Sequence, residues 1–214
     1  MRPATDVQLE TLPPALPVFP LDGAMVLPRG HLPLNIFEPR YLAMVTDAMA
    51  SHQFIGMVQN RPDGTLYDVG GLGPITQYSE TSDGRYEIVL AGIMRFSIVQ
   101  ELSVMTAYRQ VAPSYSEWLG DLRSPEPLDS TTRKALEMGL QEYLDAQELS
   151  ADWDSVHKAD DETLVNTLAA VCPFDPAEKQ ALLEADDLAR RAATLEALMR
   201  FSSGDGPETT HLVQ

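Results

Sequence analysis

Apolar residues in the first half of the chain follow the spacing of β-strands. In the segment HLPLNIF, Leu32, Leu34 and Ile36 alternate with residues of the opposite face, which predicts a half-buried strand. FIGMVQ, at residues 54–59, is a continuous apolar run of the kind found in strands buried on both faces. Turn signals rich in Gly, Pro and Asp separate these short runs. Between residues 17 and 115 the pattern therefore predicts a closed or nearly closed β structure.

One helix is predicted inside this β-rich half. Pro39 has no backbone N–H to donate, so it suits the first turn of a helix. Leu42, Val45 and Met49 then repeat at helical spacing, which predicts a helix from about Pro39 to Ala50.

The periodicity becomes helical after residue 130. Apolar stripes are formed by Leu136, Leu140, Tyr143 and Leu144, by Leu164, Val165, Leu168 and Val171, and by Leu188, Leu195, Leu198 and Met199. Asp175, Pro176 and Glu178 occupy the N-cap, first and third positions of a helix, which is a capping-box pattern. Asp186 is expected to cap the last helix. Because short helices need packed apolar faces, we expect these stripes to pack on one another or on the β structure.

These patterns predict an α+β chain with a β-rich front and an all-helical back. The segment SEWLGDLRSPEPLDS contains two prolines and several charges, and it is interpreted as a linker. The expected organisation is a flexible lead-in at 1–16, a β-rich domain at 17–118, a linker at 119–129, a helical bundle at 130–201 and a disordered tail at 202–214.

Composition and charge narrow the classes of function. The 214 residues are 44% apolar, which is enough for a substantial core, and they carry a net charge of −17. Such a surface repels phosphate groups, so it disfavours nucleic acids and anionic membranes as partners. No signal-peptide pattern opens the chain, no apolar run has the length of a membrane span, and the single Cys172 permits no intrachain disulfide. The sequence therefore predicts a soluble cytoplasmic protein.

Sequence signatures of catalysis are missing. None of the three lysines follows a glycine, which excludes the GxxxxGK[ST] phosphate loop, and the GxSxG turn does not occur either. Cys172 lies in an apolar setting and is interpreted as a small buried hydrophobe. The acidic groups at 160–162 and 186–187 precede helices, where the helix dipole favours them. The four histidines share no metal-ligand spacing: His31, His52, His157 and His211. We therefore expect no enzyme activity, no cofactor and no metal.

Charged residues next to the predicted strands form the last candidate site. Glu38 and Arg40 directly follow the HLPLNIF strand, which Phe37 is expected to help anchor. We expect Glu38 to form a partly buried pair with Arg40 or Arg95, fixing the corner between strand and helix. Arg95 lies among strand residues in AGIMRFSI, where it either points outward or pairs with a carboxylate in the barrel wall.

Several linked motifs give the chain a resemblance to a known family. LPVFPLDGAMVLPRGHLPLNIFEPRYLAMV resembles the amino-terminal, substrate-binding domain of the Lon ATP-dependent proteases, although Arg29 intrudes before Gly30. VGGLGPI and DGRYEIVLAGIMRFSI resemble two further family segments, with Gly71 where a Cys is common and Pro74 where a Lys is common. The resemblance covers about residues 15 to 201. The family-signature residues, expected to be structural, are Phe37, Glu38, Pro39, Arg40, Tyr41, Gly92, Arg95 and Phe96.

The resemblance implies a fold and a function. The implied fold is a PUA-like β-rich pseudo-barrel with one inserted helix, followed by an all-helical C-terminal bundle. Because neither the ATPase nor the peptidase motifs of Lon occur here, the chain is expected to be a stand-alone form of this domain. The implied function is a non-catalytic polypeptide-binding or adaptor module. Its partners would be unfolded or tagged polypeptides, or a protease or chaperone, with no nucleic acid and no membrane.

Two other functions remain open at this point. The chain could be a small-molecule-binding protein or an unrecognised enzyme that uses the cleft between barrel and helical bundle, which requires a deep pocket with convergent polar groups. RNA binding is the less favoured alternative and requires a basic stripe. Its candidate residues are Arg29, Arg40, Arg85, Arg95 and Arg109.

Overall fold

The computed structural model describes residues 12–203 of the chain. Most of the expected lead-in at 1–16 and tail at 202–214 lies outside these residues. The chain forms two compact units, and one is not continuous in sequence. The sheet unit comprises residues up to 124 together with Asp175–Leu183, and the helical unit comprises Pro125–Phe174 and the residues from Glu184 onward.

Within the described residues, the sheet unit contains seven strands. They are β1 (Leu16–Pro20), β2 (His31–Ile36), β3 (Phe54–Val58), β4 (Val69–Glu80), β5 (Tyr86–Ala91), β6 (Met94–Glu101) and β7 (Gln110–Ser114). The strands β4, β3, β1, β7 and β6 pair in that order, and β6 pairs again with β4 to close a ring. Only β1 and β3 run parallel; the other pairs are antiparallel. The predicted closed β structure is confirmed.

The long strand β4 takes part in both the ring and a second sheet. Its first half pairs with β3 and β6 inside the ring, and its second half pairs with β5, which in turn pairs with β2. The register shifts between Ile75 and Gln77, where the strand leaves the ring. Such an irregularity bends a strand and increases its twist. The result is a three-stranded sheet, β2–β5–β4, that extends from the ring.

The predicted inserted helix is confirmed as α1 (Pro39–Met49), with Pro39 in its first turn. Its buried residues are Tyr41, Met44, Val45 and Ala48, whereas Leu42 and Met49 of the predicted stripe are only partly buried. The helix packs into a core that also contains Ile36, Ile88 and Leu90 of the three-stranded sheet. One face of β2–β5–β4 is therefore covered by α1.

Phe96 is fully buried in a second core, inside the ring. A Cβ atom on Gly56 would lie 2.7 Å from its ring, and one on Gly70 would lie 2.6 Å from it. Phe96 thus fills space left by glycines on two neighbouring strands. Gly92 has a comparable constraint, because its Cβ would lie 1.9 Å from the carbonyl oxygen of Leu27.

One helix from the C-terminal half packs with the sheet unit. It is α5 (Pro176–Glu184), whose capping box is present: Asp175 N–H donates to Glu178 Oε2, and Glu178 N–H donates to Asp175 Oδ1, both at 2.8 Å. Gln180 Nε2 donates to Val69 O at 3.0 Å. The sequence left open whether the short helices pack on one another or on the β structure. Helix α5 packs on the β structure.

Buried groups on both sides hold α5 in place. Gln59 is buried, and its Nε2 donates to Pro176 O at 3.0 Å and to Gln180 Oε1 at 3.2 Å. Leu182 and Leu183 are buried as well. The helical unit therefore does not include all of the helices expected at 130–201.

The helical unit contains α2 (Ser130–Ala146), α3 (Trp153–Lys158), α4 (Asp161–Val171) and α6 (Leu188–Ser202). Aspartates 129, 152, 160 and 187 cap these helices by accepting backbone N–H groups. The last cap is Asp187, not Asp186 as expected, with Arg190 N–H donating to its Oδ1 at 2.7 Å. No helix among the described residues has the length and apolarity needed to cross a membrane.

Both ends of the predicted linker at 119–129 make contacts within the two units. Residues Ser116–Leu122 form a 3-10 helical segment that belongs to the sheet unit, and Asp121 within it is buried. At the other end, Leu128 N–H donates to Asp161 Oδ2 at 2.8 Å inside the helical unit. The prolines and charges of this segment suggested an exposed linker. The charge of Asp121 is instead buried, where it binds Arg95.

We expect Gly92→Ala to destabilise the protein by about 3 kcal/mol, because the added methyl group meets a backbone oxygen that no side-chain rotation can move. Urea denaturation followed by circular dichroism measures the change. Gly120→Ala is the matched control, because a Cβ at Gly120 meets nothing within 4 Å. Equal midpoints for the two variants would show that the Leu27 segment moves aside freely.

Candidate functional site

Arg95 and Asp121 form a buried ion pair in the sheet unit. Arg95 is 3% exposed and Asp121 is 8% exposed. Arg95 Nη2 donates to Asp121 Oδ1 at 2.7 Å, and Arg95 Nε and the backbone N–H both donate to Asp121 Oδ2 at 2.9 Å. Of the two interpretations of Arg95, the carboxylate partner is confirmed and the outward-pointing side chain is wrong.

The surroundings of this pair are also hydrogen-bonded. The Arg95 guanidinium stacks 4.0 Å from the centre of the Trp118 ring, and Trp118 Nε1 donates to Ser97 Oγ at 2.9 Å. Ser97 Oγ donates to Glu117 Oε2 at 2.7 Å. Arg95 Nη1 reaches Leu183 O of α5 at 3.1 Å. The cluster thus joins β6, the 3-10 segment and α5, which is a structural arrangement.

Glu38 and Arg40 form the expected corner pair, but the pair is not buried. Arg40 Nη2 lies 2.8 Å from Glu38 Oε2, with 53% of the Arg40 side chain and 44% of the Glu38 side chain exposed. Glu38 is the N-cap residue of α1 but makes no side-chain capping bond. The Arg40 guanidinium lies 4.5 Å from the centre of the Tyr41 ring, which packs 4.2 Å from Phe19. The corner is therefore held mainly by Tyr41 packing.

The structure divides the signature residues into two groups. Tyr41, Gly92, Arg95 and Phe96 are interior. Pro39 and Arg40 are exposed, Glu38 is half-buried, and Phe37 is 63% exposed. The sequence predicted that Phe37 helps to anchor its strand, and this prediction is wrong. Phe37 follows Ile36, the last buried residue of β2, and its side chain is exposed.

A groove of about 500 Å³ lies on the three-stranded sheet. It is lined by Pro33, Leu34, Asn35, Gln77, Tyr78, Ser79, Glu87, Ile88 and Val89. The strand register places Pro33, Val89 and Gln77 in one cross-strand row. Asn35, Glu87 and Ser79 form the next row. These rows lie on the face opposite α1, because alternate residues of each strand point to opposite faces.

The groove has apolar, amide, hydroxyl and acidic groups within reach of one another. Pro33 and Val89 give an apolar strip, and the carboxylate of Glu87 lies opposite the amide of Asn35 and the hydroxyl of Ser79. Sequence reasoning did not find this site, because residues on three strands meet only once the register is known. The one signal was alternation, which marks Pro33 and Asn35 as members of the outer face of β2.

A smaller cavity of about 160 Å³ lies near the start of α1. It is lined by Pro20, Arg40, Tyr41, Asn60, Ala107, Tyr108 and Arg109. Tyr108 Oη donates to Asp47 Oδ2 at 2.8 Å, and burial together with this bond raises the pKa of Tyr108 to about 12. Arg109 is bound through Nε and Nη2 to the two oxygens of Glu101, both at 2.6 Å. This cavity is polar and narrow, unlike the groove.

Candidate metal ligands and nucleophiles do not gather into a common site within the described residues. Within residues 12–203, no three His, Cys, Asp or Glu side chains are placed so that they could hold a metal ion. Cys172 is buried in the helical unit, as its apolar setting indicated. His52 accepts a bond from the Phe54 N–H at 3.0 Å, and burial lowers the pKa of its imidazole. His52 thus stabilises a local turn.

Comparison with known proteins assigns the family. The sequence model of the ATP-dependent protease La (LON) substrate-binding domain matches residues 15–200, so the chain belongs to this family. Lon protease 2 of Myxococcus xanthus is 27% identical over 217 residues, covering 94% of this chain and 25% of the relative. Escherichia coli Lon protease is 26% identical over 198 residues, covering 86% and 24%. The chain thus spans about a quarter of the length of these relatives.

Solved structures confirm the fold. The Lon N-terminal domain protein of Xanthomonas campestris matches with a TM-score of 0.62 at 23% identity, covering 86% of this chain and 97% of that one. The N-terminal domain of Mycobacterium avium complex Lon protease matches with a TM-score of 0.61 at 20% identity, covering 90% and 100%. The α+β class, with a seven-stranded sheet followed by helices, is confirmed.

We expect Asp121→Asn to destabilise the protein by about 3 kcal/mol, because it removes the negative charge that lies 2.7 Å from the buried Arg95 guanidinium. Chemical denaturation measures the free energy of unfolding. Asp83→Asn is the matched control, since Asp83 pairs with Arg85 on the exposed surface. Equal losses in the two variants would contradict a special role for the buried pair.

Glu38→Gln should change the free energy of unfolding by less than about 1 kcal/mol, because exposed ion pairs contribute little. This expectation replaces the larger effect that a partly buried pair would give. Thermal unfolding at low and high salt measures it. A large loss of stability, insensitive to salt, would show that Glu38 has a structural role beyond the pair with Arg40.

Proposed function

We infer that this chain is a non-catalytic polypeptide-recognition module that binds unfolded or tagged protein segments in the groove on β2–β5–β4. Membership of the Lon substrate-binding family supports recognition of polypeptides in general terms. The observation that carries the proposal is the groove itself, and the exposed aromatic residue Phe37 directly follows β2, whose Asn35 lines the groove. Large exposed apolar groups next to a concave surface are typical of interaction sites.

The lining of the groove fits a peptide main chain better than one defined small molecule. Asn35 and Gln77 carry amides that can donate to and accept from peptide groups, and Ser79 adds a hydroxyl. Pro33 and Val89 offer apolar surface to side chains of varied shape. Because backbone groups are common to all polypeptides, such a lining favours binding that tolerates many sequences.

Charge favours one class of segment. Glu87 lies in the middle of the groove, and the whole chain carries a net charge of −17. A negative surface speeds encounter with positively charged partners and disfavours acidic ones. The proposed ligands are therefore apolar segments that also carry Lys or Arg.

The free edge of the sheet limits how a segment can bind. β2 is the terminal strand of the sheet order, and Pro33 in its middle has no N–H to offer to an added strand. A continuous new strand cannot form along this edge. Side chains on the outer face, rather than an extended ladder of backbone bonds, would then make the main contacts.

Four of the five arginines expected for an RNA site are paired with carboxylates, which disfavours RNA as the partner. Arg40, Arg85, Arg95 and Arg109 are each paired with a carboxylate, at Glu38, Asp83, Asp121 and Glu101 respectively. Their positive charges are thus largely neutralised within the sheet unit. A cytoplasmic adaptor role, in which a bound polypeptide is passed to a protease or chaperone, is the extension of this proposal that fits the Lon relatives.

Phe37→Ser tests the proposed function. We expect it to weaken binding of a permanently unfolded, labelled model polypeptide rich in apolar and basic residues on the order of tenfold, as loss of an aromatic anchor does. Fluorescence anisotropy measures the affinity. Phe201→Ser is the matched control, because Phe201 is 66% exposed, close to the 63% of Phe37, and lies in the helical unit.

The proposal would be overturned by equal affinities of the two variants, with both still folded by circular dichroism. A second groove variant, Gln77→Ala, removes an exposed amide without altering the core. It should weaken binding to a smaller extent, since one exposed hydrogen bond contributes about 1 kcal/mol.

A further inference from the structure

The small cavity near α1 is lined by a buried tyrosine whose hydroxyl group has no hydrogen-bond partner among the described residues. Tyr41 is 5% exposed, and within the described residues its Oη makes no hydrogen bond. No sealed side-chain nitrogen or oxygen among these residues lacks a partner, so the Tyr41 hydroxyl is not sealed. Since Tyr41 lines the cavity, the hydroxyl opens into it. Because the hydroxyl is not sealed, water or a ligand group in the cavity can hydrogen-bond to it.

Two arginines, Arg40 and Arg109, line the same cavity as this hydroxyl. Arg40 uses Nε and Nη2 to bind Glu38, and Arg109 uses Nε and Nη2 to bind Glu101. Nη1 of each arginine makes no hydrogen bond within the part of the chain that the structure describes. Burial raises the pKa of Tyr41, and the charges of Arg40 and Arg109 oppose this increase while the charge of Glu38 adds to it. Hydrogen-bond donors of three side chains, Arg40, Tyr41 and Arg109, are therefore available at this small cavity.

Nearby carboxylates determine what kind of ligand fits. Glu38 and Glu101 hold the arginines, and Asp47 binds the Tyr108 hydroxyl, so the arginine charges are largely offset. Such a site recognises by directed hydrogen bonds more than by net positive charge, which disfavours a dianion. The volume of about 160 Å³ admits a planar carboxylate and a few carbon atoms, with Pro20 and Ala107 as apolar walls.

We propose that Arg40, Tyr41 and Arg109 form a carboxylate-binding subsite that takes a carboxylate of a bound polypeptide. The identity of the ligand rests on the proposed polypeptide-recognition function, whereas the carboxylate chemistry rests on the cavity alone. The two arginine Nη1 groups and the Tyr41 hydroxyl donate to the carboxylate oxygens. The subsite shares no residue with the groove on β2–β5–β4, so the two can be tested separately.

The test is a nuclear magnetic resonance titration of the whole chain with small probes. N-acetyl-leucine presents a terminal carboxylate, N-acetyl-leucine methylamide lacks it, and N-acetyl-glutamate α-methylamide presents only a side-chain carboxylate. Inorganic phosphate is the fourth probe. We expect both carboxylates to shift the side-chain signals of Arg40 and Arg109, and the methylamide to bind at least tenfold more weakly. The tighter of the two carboxylates identifies the source.

Variants separate this subsite from unspecific anion binding. Tyr41→Phe removes only the hydroxyl, and Arg109→Gln removes one guanidinium; each should abolish the preference for carboxylate over methylamide. Arg85→Gln is the control, because Arg85 is also paired with a carboxylate but does not line the cavity. Equal binding of carboxylate and methylamide would overturn the subsite. Tighter binding of phosphate, or an unchanged preference in Tyr41→Phe, would overturn it too.

The unfolded-polypeptide assay distinguishes the two proposals. In one outcome, Tyr41→Phe loses carboxylate binding and Phe37→Ser has no effect on binding of the unfolded polypeptide. This outcome supports the subsite and contradicts the groove function. The reverse pattern keeps the groove function and removes the subsite.

Discussion

The buried ion pair between Arg95 and Asp121 is the interaction on which the sheet unit depends. It connects strand β6 to the 3-10 segment, and Arg95 also reaches the last turn of α5. Neither charge could be buried alone, because an unpaired charge in the interior is strongly unfavourable. The pair therefore requires all three segments to be in position at once, and it fixes the ring of strands relative to the helix.

A division between fold and recognition follows from this arrangement. The interior signature residues, with Phe96 and Gly92 as examples, close the ring and bring the Leu27 segment against it. Phe37 and Arg40 belong to the same sequence motif but lie at the surface: Phe37 directly follows β2, a strand of the groove, and Arg40 lines the small cavity. The family-signature residues thus include both structural and candidate binding residues, and their burial distinguishes the two groups.

Local patterns in the sequence predicted local structure well. Helix α1 and the capping box of α5 depend on residues within a few positions of one another, and both are present. Asp121 was missed because its partner is 26 residues away, so its segment resembled an ordinary polar linker. The groove was missed for a related reason: its rows combine three strands, and their register depends on the bulge between Ile75 and Gln77. Distant pairing, rather than propensity, decided these features.

The position of α5 has a consequence for how the protein is made. Residues up to 124 leave the ribosome well before Asp175–Leu183, yet the sheet unit needs both. Before α5 is synthesised, three groups of the sheet unit lack the hydrogen-bond partners that this helix provides. They are the side-chain amide of Gln59, the carbonyl of Val69 and Nη1 of Arg95. Contacts over such sequence distances slow folding. The ring of strands can therefore reach its final form only after the chain has been synthesised as far as Leu183.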